Sequence, residues 1–186
     1  GLQQIYITDI RNKTNPKLIS RSFASIFSGG NSNSFRPRIS ADGNTVVFHS
    51  KATDIVPGDF NGHEDIFIYN VDTEDISRIV EISSNTEGNQ GSFYPDLNHD
   101  GTVVVFESEA TNLQSSGVST TGRQIFLWEN HADGSQTIRA ITSGNGQSSR
   151  PTIDDAGKTI AFTSLATDLA NAYPTSSNII DDNNMI

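Results

Sequence analysis

The stretch from Arg36 to Tyr69, RPRISADGNTVVFHSKATDIVPGDFNGHEDIFIY, decides the fold, because the chain repeats it twice more in looser form. A second copy begins at Tyr94 with YPDLNHDGTVVVFESEATNL, and a third begins at Arg150 with RPTIDDAGKTIAFTSLATDL. The proline of each copy moves from position 37 to 95 to 151, so the repeat steps by 58 and then 56 residues. A fixed period of this size is typical of solenoids, propellers and repeat arrays.

Each repeat is predicted to consist of short β-strands. The segments TVVFHS, VVVFES and TIAFTS carry apolar residues at both odd and even positions, and successive side chains of a strand point to opposite faces of the sheet. This pattern predicts strands covered on both faces. Asp42-Gly43 and Asp100-Gly101 stand just before the first two of these segments and are strong hairpin signals, and the third copy has Asp155-Ala156-Gly157 instead. Proline lacks the N–H that a central ladder needs, so a first strand is expected directly after each proline: Arg38–Ser40, Asp96–Asn98 and Thr152–Asp154. No sustained period of 3.6 residues occurs, so almost no helix is expected.

Four strands per repeat predict an all-β fold, a β-propeller built of four-stranded antiparallel blades. Residues 4–10 (QIYITDI) match the third strands expected at Asp65–Asn70 and Gln124–Glu129, so the chain opens in the middle of a repeat. About three blades' worth of strands is therefore expected. Residues 1–186 are predicted to form one propeller domain or part of one, divided into a half-blade at 1–27, full repeats at 28–82 and 83–142, and a half-blade at 143–186.

The first copy, extended to RPRISADGNTVVFHSKATDIVPGDFNGHEDIFIYNVDT, closely resembles the WD40-like β-propeller repeat of the TolB-like group. The other copies match the P-x-(I/L)-x-x-D-G and (I/V)-(V/A)-F-x-S portions of that repeat, and the likeness extends over residues 4–170. The resemblance implies a bacterial propeller in the periplasm or outside the cell, whose usual role is binding. Some members of the group are joined to peptidases or lyases, but none of their catalytic signatures is found here, so the resemblance implies no activity.

Composition excludes several classes of partner. The chain has 22 acidic and 12 basic residues, a formal net charge of −10, which argues against nucleic acids and anionic membranes as partners. No run of about 18 apolar residues occurs, so membrane insertion is not expected. There is no cysteine, which excludes disulfides and thiolate metal sites but leaves the compartment open.

The residues just before the three prolines, Arg36, Tyr94 and Arg150, form the first candidate site. A repeat places equivalent residues equivalently around the propeller axis. If the first strand is innermost, these residues ring one mouth of the central channel, where two arginines and a tyrosine could bind a carboxylate or a sugar. The alternative is that each arginine pairs with an aspartate of its own or the neighbouring blade.

The loop around Asp59, Asn61 and Asp65 is the second candidate, a calcium site. Oxygen ligands at alternate positions with a glycine between them resemble the start of an EF-hand loop. Asn70, however, stands where the bidentate glutamate would be, and the second repeat has serines and threonines in this loop. The favoured alternative is a polar turn in which Asp59 and Asn61 bond their own backbone and Asp65 caps a strand.

The leading functional prediction is a non-catalytic binding or scaffolding module that presents loops and a channel mouth to a protein, peptide or glycan. The alternative is the propeller part of a carbohydrate- or peptide-active enzyme, and a third interpretation is a purely architectural spacer. The chain starts at Gly1 rather than Met, which is expected of a processed or excised piece. Cut blades would leave sheet edges open, so we expect either self-association or contact with the remaining blades of a longer parent chain.

Overall fold

The computed structural model describes residues 1–80, 85–114 and 122–169. All regular secondary structure there is strand, as predicted, and none of these residues belongs to a helix that could cross a membrane. The strands, in chain order, are β1 (Tyr6–Ile7), β2 (Lys17–Leu18), β3 (Arg21–Ser22), β4 (Ser25–Gly29), β5 (Ser34–Ile39), β6 (Thr45–Ser50), β7 (Asp65–Asn70), β8 (Ile76–Arg78), β9 (Ser92–Leu97), β10 (Val103–Ser108), β11 (Gln124–Asn130), β12 (Gln136–Ala140), β13 (Ser148–Ile153) and β14 (Ile160–Ser164).

Consecutive strands pair antiparallel into blades. Strands β5-β6-β7-β8 form one four-stranded sheet, called blade I here, and β9-β10-β11-β12 form a second, blade II. Before them lies the β1-β2 pair, the opening half-blade, and after them lies the β13-β14 pair, the closing half-blade. The predicted all-β propeller with about three blades' worth of strands is confirmed.

The core lies between the blades, which explains why the central strands are apolar at both parities. In β6, Val46 and Phe48 pack against the opening half-blade, whereas Val47 packs against blade II. Phe48 lies opposite Phe67 of β7, and the two rings stack with centroids 5.5 Å apart. The equivalent rings of Phe106 and Phe126 in blade II stack at 5.8 Å. Each interface therefore buries side chains from two sheets, as in stacked sheets generally.

The turns after the first strands also join neighbouring blades. The glycines at 43, 101 and 157 have φ of 80°, 73° and 70°, the left-handed conformation that the predicted Asp-Gly turns require. The N–H of Asp42 donates to the carbonyl of His99 at 3.1 Å, and the N–H of His99 donates to the carbonyl of Asp155 at 3.0 Å. A single chain of backbone bonds thus links three successive turns.

The prediction that the first strands start after the prolines is wrong. Strands β5, β9 and β13 begin at Ser34, Ser92 and Ser148, three residues before the proline in each case, so the prolines lie inside the strands. Each strand changes register against its partner at this point, which marks a β-bulge. A bulge leaves a residue out of the ladder, so it accommodates a proline without the loss of a ladder bond.

A small hairpin of β3 and β4 lies between the opening half-blade and blade I, in a segment where the sequence predicts no strand. The N–H of Phe23 donates to the carbonyl of Asp54 at 2.7 Å and fixes the hairpin over the loop that follows β6. Ile26 and Phe27 are 64% and 90% exposed, so the usual core signal is absent from this segment.

A recurrent clamp fixes the loop before each first strand to the Ala-Thr-(Asp/Asn) turn that follows the second strand. In blade I, Asn31 Nδ2 donates to Thr53 Oγ1 at 2.9 Å, and Asn31 Oδ1 accepts the Thr53 N–H at 2.9 Å. The same pair of hydrogen bonds joins Asn89 to Thr111 and Asn145 to Thr167. Serine hydroxyls at the start of the first strand and the end of the second also pair in every copy, at Ser34–Ser50, Ser92–Ser108 and Ser148–Ser164.

A candidate ligand-binding groove at the proline bulges

The three proline bulges meet at one groove of about 570 Å³. Its lining comes from the Arg-Pro-Arg segment at 36–38, the Tyr-Pro pair at 94–95 and the Arg-Pro-Thr segment at 150–152. Strands β5, β9 and β13 thus lie side by side at the inner edge of their blades. The structure brings together Arg36, Tyr94 and Arg150, the residues that the repeat placed at a common mouth.

These three residues share an unusual backbone conformation. Their φ angles are 55°, 51° and 54°, in the left-handed region, which glycine adopts with less strain than any residue with a Cβ. A non-glycine residue costs about 1–2 kcal/mol there. The right-handed helical region is also disfavoured for a residue that precedes a proline, so few backbone conformations are accessible to these three residues. The chain nevertheless keeps large side chains at all three positions.

The arginines of the groove differ in their surroundings. The Arg36 guanidinium lies 4.9 Å from the centroid of the Tyr94 ring, a cation–π contact. Arg38 Nε lies 3.7 Å from Asp96 Oδ1, a loose ion pair across two blades. Among the described residues no carboxylate forms an ion pair with the side chain of Arg36 or Arg150. The pairing of arginine with aspartate that the alternative expected is thus found at Arg38 instead.

Asp96 joins blade II to the closing half-blade. Its Oδ2 accepts hydrogen bonds from Thr152 Oγ1 at 2.7 Å and from the Ile153 N–H at 3.1 Å. Its other oxygen faces Arg38. This carboxylate is therefore occupied in holding strands β5, β9 and β13 together.

His49 lies beneath the groove in an aromatic layer. Its ring is 6.0 Å from that of Tyr94 and is also near those of Phe35 and Phe93. Burial, followed by the positive charges of Arg36 and Arg123, lowers the pKa of His49 to about 4. The imidazole is therefore neutral at ordinary pH and offers the tyrosine a flat, uncharged surface.

Glu107 stands at the equivalent position of blade II and acts differently. Its side chain is fully buried, and its Oε2 accepts the N–H of Arg150 at 2.7 Å. Its Oε1 accepts a hydrogen bond from Arg123 Nη1 at 2.5 Å, and Arg123 Nε also donates to Glu109 at 2.9 Å. A buried carboxylate thus fixes the backbone of one groove residue, and its charge is balanced by a neighbouring arginine.

The second candidate site is also assembled, but an arginine lies at its centre. Arg78 Nη1 donates to Asp65 Oδ2 at 3.1 Å and makes a charge contact of 2.9 Å with Asp59 Oδ1, where the geometry is not that of a hydrogen bond. Asn61 Nδ2 donates to Asp65 Oδ2 at 3.1 Å, and the side-chain oxygen Asn61 Oδ1 accepts the N–H of His63. Calcium at Asp59, Asn61 and Asp65 would have to displace the guanidinium from both carboxylates, and the calcium site remains a prediction.

The aspartates of this cluster are protonated more easily than usual. Burial, reinforced by the charge of Asp59, raises the pKa of Asp65 to about 7, although Arg78 works in the opposite direction. Burial also raises the pKa of Asp59. Within the described ranges, no set of three or more histidine, cysteine, aspartate or glutamate side chains has the arrangement of a metal site.

Arg78, Glu107, Arg123 and His49 were not selected as site residues from the sequence. Two of them had a visible signal: His49 and Glu107 are ionisable residues that directly follow the apolar runs Val46–Phe48 and Val103–Phe106 inside buried strands. A polar residue in such a strand needs a buried partner. Arg78 and Arg123 stand at strand ends, where charged residues are ordinary, so nothing in the sequence set them apart.

Four-stranded antiparallel blades whose equivalent inner residues meet at one groove define the chain as a β-propeller protein. Its structure is similar to the crystal structure of TolB from Acinetobacter baumannii, with 22% sequence identity and a TM-score of 0.51, covering 86% of this chain and 31% of that one. It is also similar to a crystal structure of the tricorn protease, with 14% identity and a TM-score of 0.46, covering 69% of this chain and 12% of that one. No family model and no curated protein matches the chain.

The chain spans about a third of the length of the TolB structure and a smaller part of the protease. At these identities the likeness establishes the fold alone. The chain therefore has a TolB-like propeller fold, in agreement with the resemblance read from its repeats.

Proposed function

We propose that this chain is a non-catalytic binding module that holds a protein or peptide partner by an acidic group in the groove at Arg36, Tyr94 and Arg150. The observation that carries the proposal is a pair of guanidinium groups, equivalent in the repeat and without a carboxylate partner among the described residues, on the bulges that flank Tyr94. In a chain with a net charge of −10, this concentration of positive charge is unusual. The same proposal places the module in the periplasm or outside the cell, which rests on its resemblance to TolB-like repeats.

The chemistry of the groove suits a carboxylate. A guanidinium group binds a carboxylate through two parallel N–H···O bonds, and such charge-assisted bonds are stronger than neutral ones. The Tyr94 ring offers an apolar surface beside them and a hydroxyl group at its tip. The bulge prolines hold the backbone rigidly, so little conformational entropy is lost when a ligand binds.

The strained backbone supplies a way to remove the side chains without harming the fold. Replacement of Arg36 or Arg150 by glycine removes the guanidinium and also the left-handed strain, so the variant should melt no lower than the parent. Replacement of Arg11, an exposed residue of the first turn, by glycine changes the net charge equally at a distance from the groove and is the matched control.

The test measures binding of a hexaglutamate peptide, with hexaglutamine and the acidic glycan polygalacturonate as comparisons, by calorimetry at low salt. Each hydrogen bond to a charged group contributes about 1.5–3 kcal/mol, so we expect R36G and R150G each to weaken hexaglutamate binding at least tenfold. The R11G variant should bind as the parent does. Equal binding by all variants would refute the groove as the site, and binding of the glycan alone would replace the peptide partner by a sugar.

No observation among the described residues favours the alternative of an enzyme part. The two carboxylates that contact groove residues, Asp96 and Glu107, are both engaged in structural hydrogen bonds and ion pairs. A general acid or base needs a carboxylate that can reach a substrate.

A further inference from the structure

The three sheets that meet at the groove contribute different charges to it. Blade I supplies Arg36 and Arg38, and the closing half-blade supplies Arg150. Blade II lies between them and supplies Tyr94 and Pro95, which are uncharged. The groove therefore has cationic groups on its two sides and an uncharged strand in its middle.

Asp96 adds a negative charge to this middle strand. It stands two residues after Tyr94, and its side chain is 15% exposed. Arg38 Nε lies 3.7 Å from its Oδ1, and Thr152 Oγ1 donates to its Oδ2 at 2.7 Å. The charges of Arg38 and Asp96 thus balance each other, and a ligand anion placed over the middle strand would meet a like charge, which weakens binding.

Arg36 and Arg150 are directed in the same sense from two different sheets. Their φ angles, 55° and 54°, are nearly equal, so equivalent backbones set the directions of the two side chains. The Arg36 guanidinium extends towards the next blade and lies 4.9 Å from the centroid of the Tyr94 ring. The main chain of Arg150 is fixed one sheet further on, where its N–H donates to Glu107 at 2.7 Å. The two guanidinium groups therefore form two separate anion sites.

The spacing of the sheets sets the distance between these two sites. Sheets packed face to face lie about 10 Å apart, so equivalent residues two sheets apart are separated by about 20 Å at most. The distance is shorter at the inner strands, because the blades of a propeller are arranged radially around its axis. An extended peptide advances about 3.3 Å per residue, so a span of about 10–20 Å corresponds to roughly three to six residues.

We propose that the groove selects a peptide with two acidic side chains about three to six positions apart and uncharged residues between them, one acid binding at Arg36 and the other at Arg150. The inference rests on the proposed function and specifies which class of peptide is bound. Tyr94 lies between the two sites and offers its ring and hydroxyl group to the uncharged residues. Once the first acid is bound, the second binds at a high effective concentration, so the pair binds more tightly than either acid alone.

The test is a series of serine octapeptides that carry two glutamates at different separations. Acetylated and amidated ends give every member the same charge and composition. The glutamates are adjacent in the first member and up to six positions apart in the last, and a peptide with a single glutamate is the reference. In calorimetry at low salt we expect the affinity to rise at least tenfold from the adjacent pair to the best separation, which lies at about three to six positions.

The groove variants determine whether both arginines take part. In R36G and in R150G the best peptide should bind no more tightly than the single-glutamate reference, and the dependence on separation should disappear. R11G, which changes the net charge equally, should retain that dependence. A third glutamate placed between the other two should weaken binding to the parent about tenfold, because it lies over Asp96. Asp96→Asn keeps an oxygen that can accept from Thr152, and it should reduce this penalty.

The results separate this inference from the proposed function. If affinity did not depend on separation although R36G and R150G both weakened it, the two arginines would converge on one carboxylate, and only this inference would fail. If one of the two variants left the dependence on separation intact, the second anion site would lie elsewhere, and the inference would fail again. A third glutamate that did not weaken binding would overturn the requirement for an uncharged middle. No measurable binding, or equal binding by the parent and both variants, would overturn the proposed function as well.

Discussion

Asp65→Asn should make the protein more stable at pH 8 while leaving its stability at pH 4 nearly unchanged. Asp65 is 2% exposed, and its pKa is raised from 3.8 to about 7, mainly by burial. In this interval the folded chain holds a proton that the unfolded chain has lost. The contribution of Asp65 to stability is therefore complete below pH 4 and disappears as the pH rises through 7.

The magnitude follows from the size of the shift. Each unit of pKa corresponds to about 1.36 kcal/mol, so a shift of about three units corresponds to roughly 4 kcal/mol at most. Asp59 shares the cluster, and its raised pKa takes up part of the same titration. Asparagine imitates the neutral acid, and Asp59 remains beside Arg78, so we expect a gain of about 2–4 kcal/mol at pH 8.

The assay is urea unfolding of the parent and the variant at both pH values. The quantity of interest is the difference in free energy of unfolding between the variant and the parent at each pH. The parent's own pH profile is ambiguous because His49 acts in the opposite direction. Its pKa is lowered from 6.5 to about 4, so its contribution to stability is lost as the pH falls through that range. This contribution is common to both proteins and cancels.

Asp72→Asn, at an exposed position of the turn after β7, is the control and should change stability little at either pH. If Asp65→Asn were less stable than the parent at pH 8, the ion pair with Arg78 would outweigh the cost of burial. The interpretation of the cluster as one that favours a proton would then be wrong.

Three further measurements test the core, the clamp and the calcium prediction. Phe106→Ala removes a fully buried ring stacked on Phe126 and should lower the free energy of unfolding, measured by chemical denaturation, by about 3–5 kcal/mol. Phe60 is 87% exposed, so Phe60→Ala should leave that free energy almost unchanged. Equal effects of the two substitutions would contradict the assignment of the core. Asn89→Ala breaks both bonds to Thr111 and should lower the free energy of unfolding by about 1–2 kcal/mol, so an unchanged urea midpoint would mean that the clamp adds no stability. If calcium binds at the Asp59 loop, melting should rise between EDTA and millimolar Ca²⁺ in the parent but not in Asp65→Asn; equal melting in both media would reject the site.

The repeat predicted the blades because the apolar residues of each central strand are determined by the two neighbouring sheets that cover its faces. The stacked phenylalanines, the apolar central strands and the turns at Gly43 and Gly101 all recur with the period and lie where it placed them. The recurrent Asn31 and Ser34 had the same period, but small polar residues in a loop are so common that their clamps were not distinguished from ordinary connections.

The features that the sequence did not predict depend on tertiary contacts. The proline of each first strand was expected at a strand start, which is its commoner place, and only the register shift on β6, β10 and β14 shows the bulge. Arg78 lies 13 residues from Asp65 along the chain, and the antiparallel pairing of β7 with β8 brings the two together. No local pattern shows which cation will balance a buried aspartate.

Comparison of the three copies distinguishes the residues that every blade needs for its fold from the residues that can differ between blades. The serine pairs and the asparagine clamps are the same in all three copies, as expected of residues on which every blade depends. The residue before the proline differs, and so does the inward polar position of the second strand, which is His49, Glu107 or Thr163. The residue before the proline lines the groove and keeps a strained backbone that glycine would relieve. At the second position, His49 contacts the Tyr94 ring and Glu107 accepts the N–H of Arg150. The side chains at these positions are therefore not dictated by the blade, and this is the physical reason for proposing the groove, and not the surrounding loops, as the binding site.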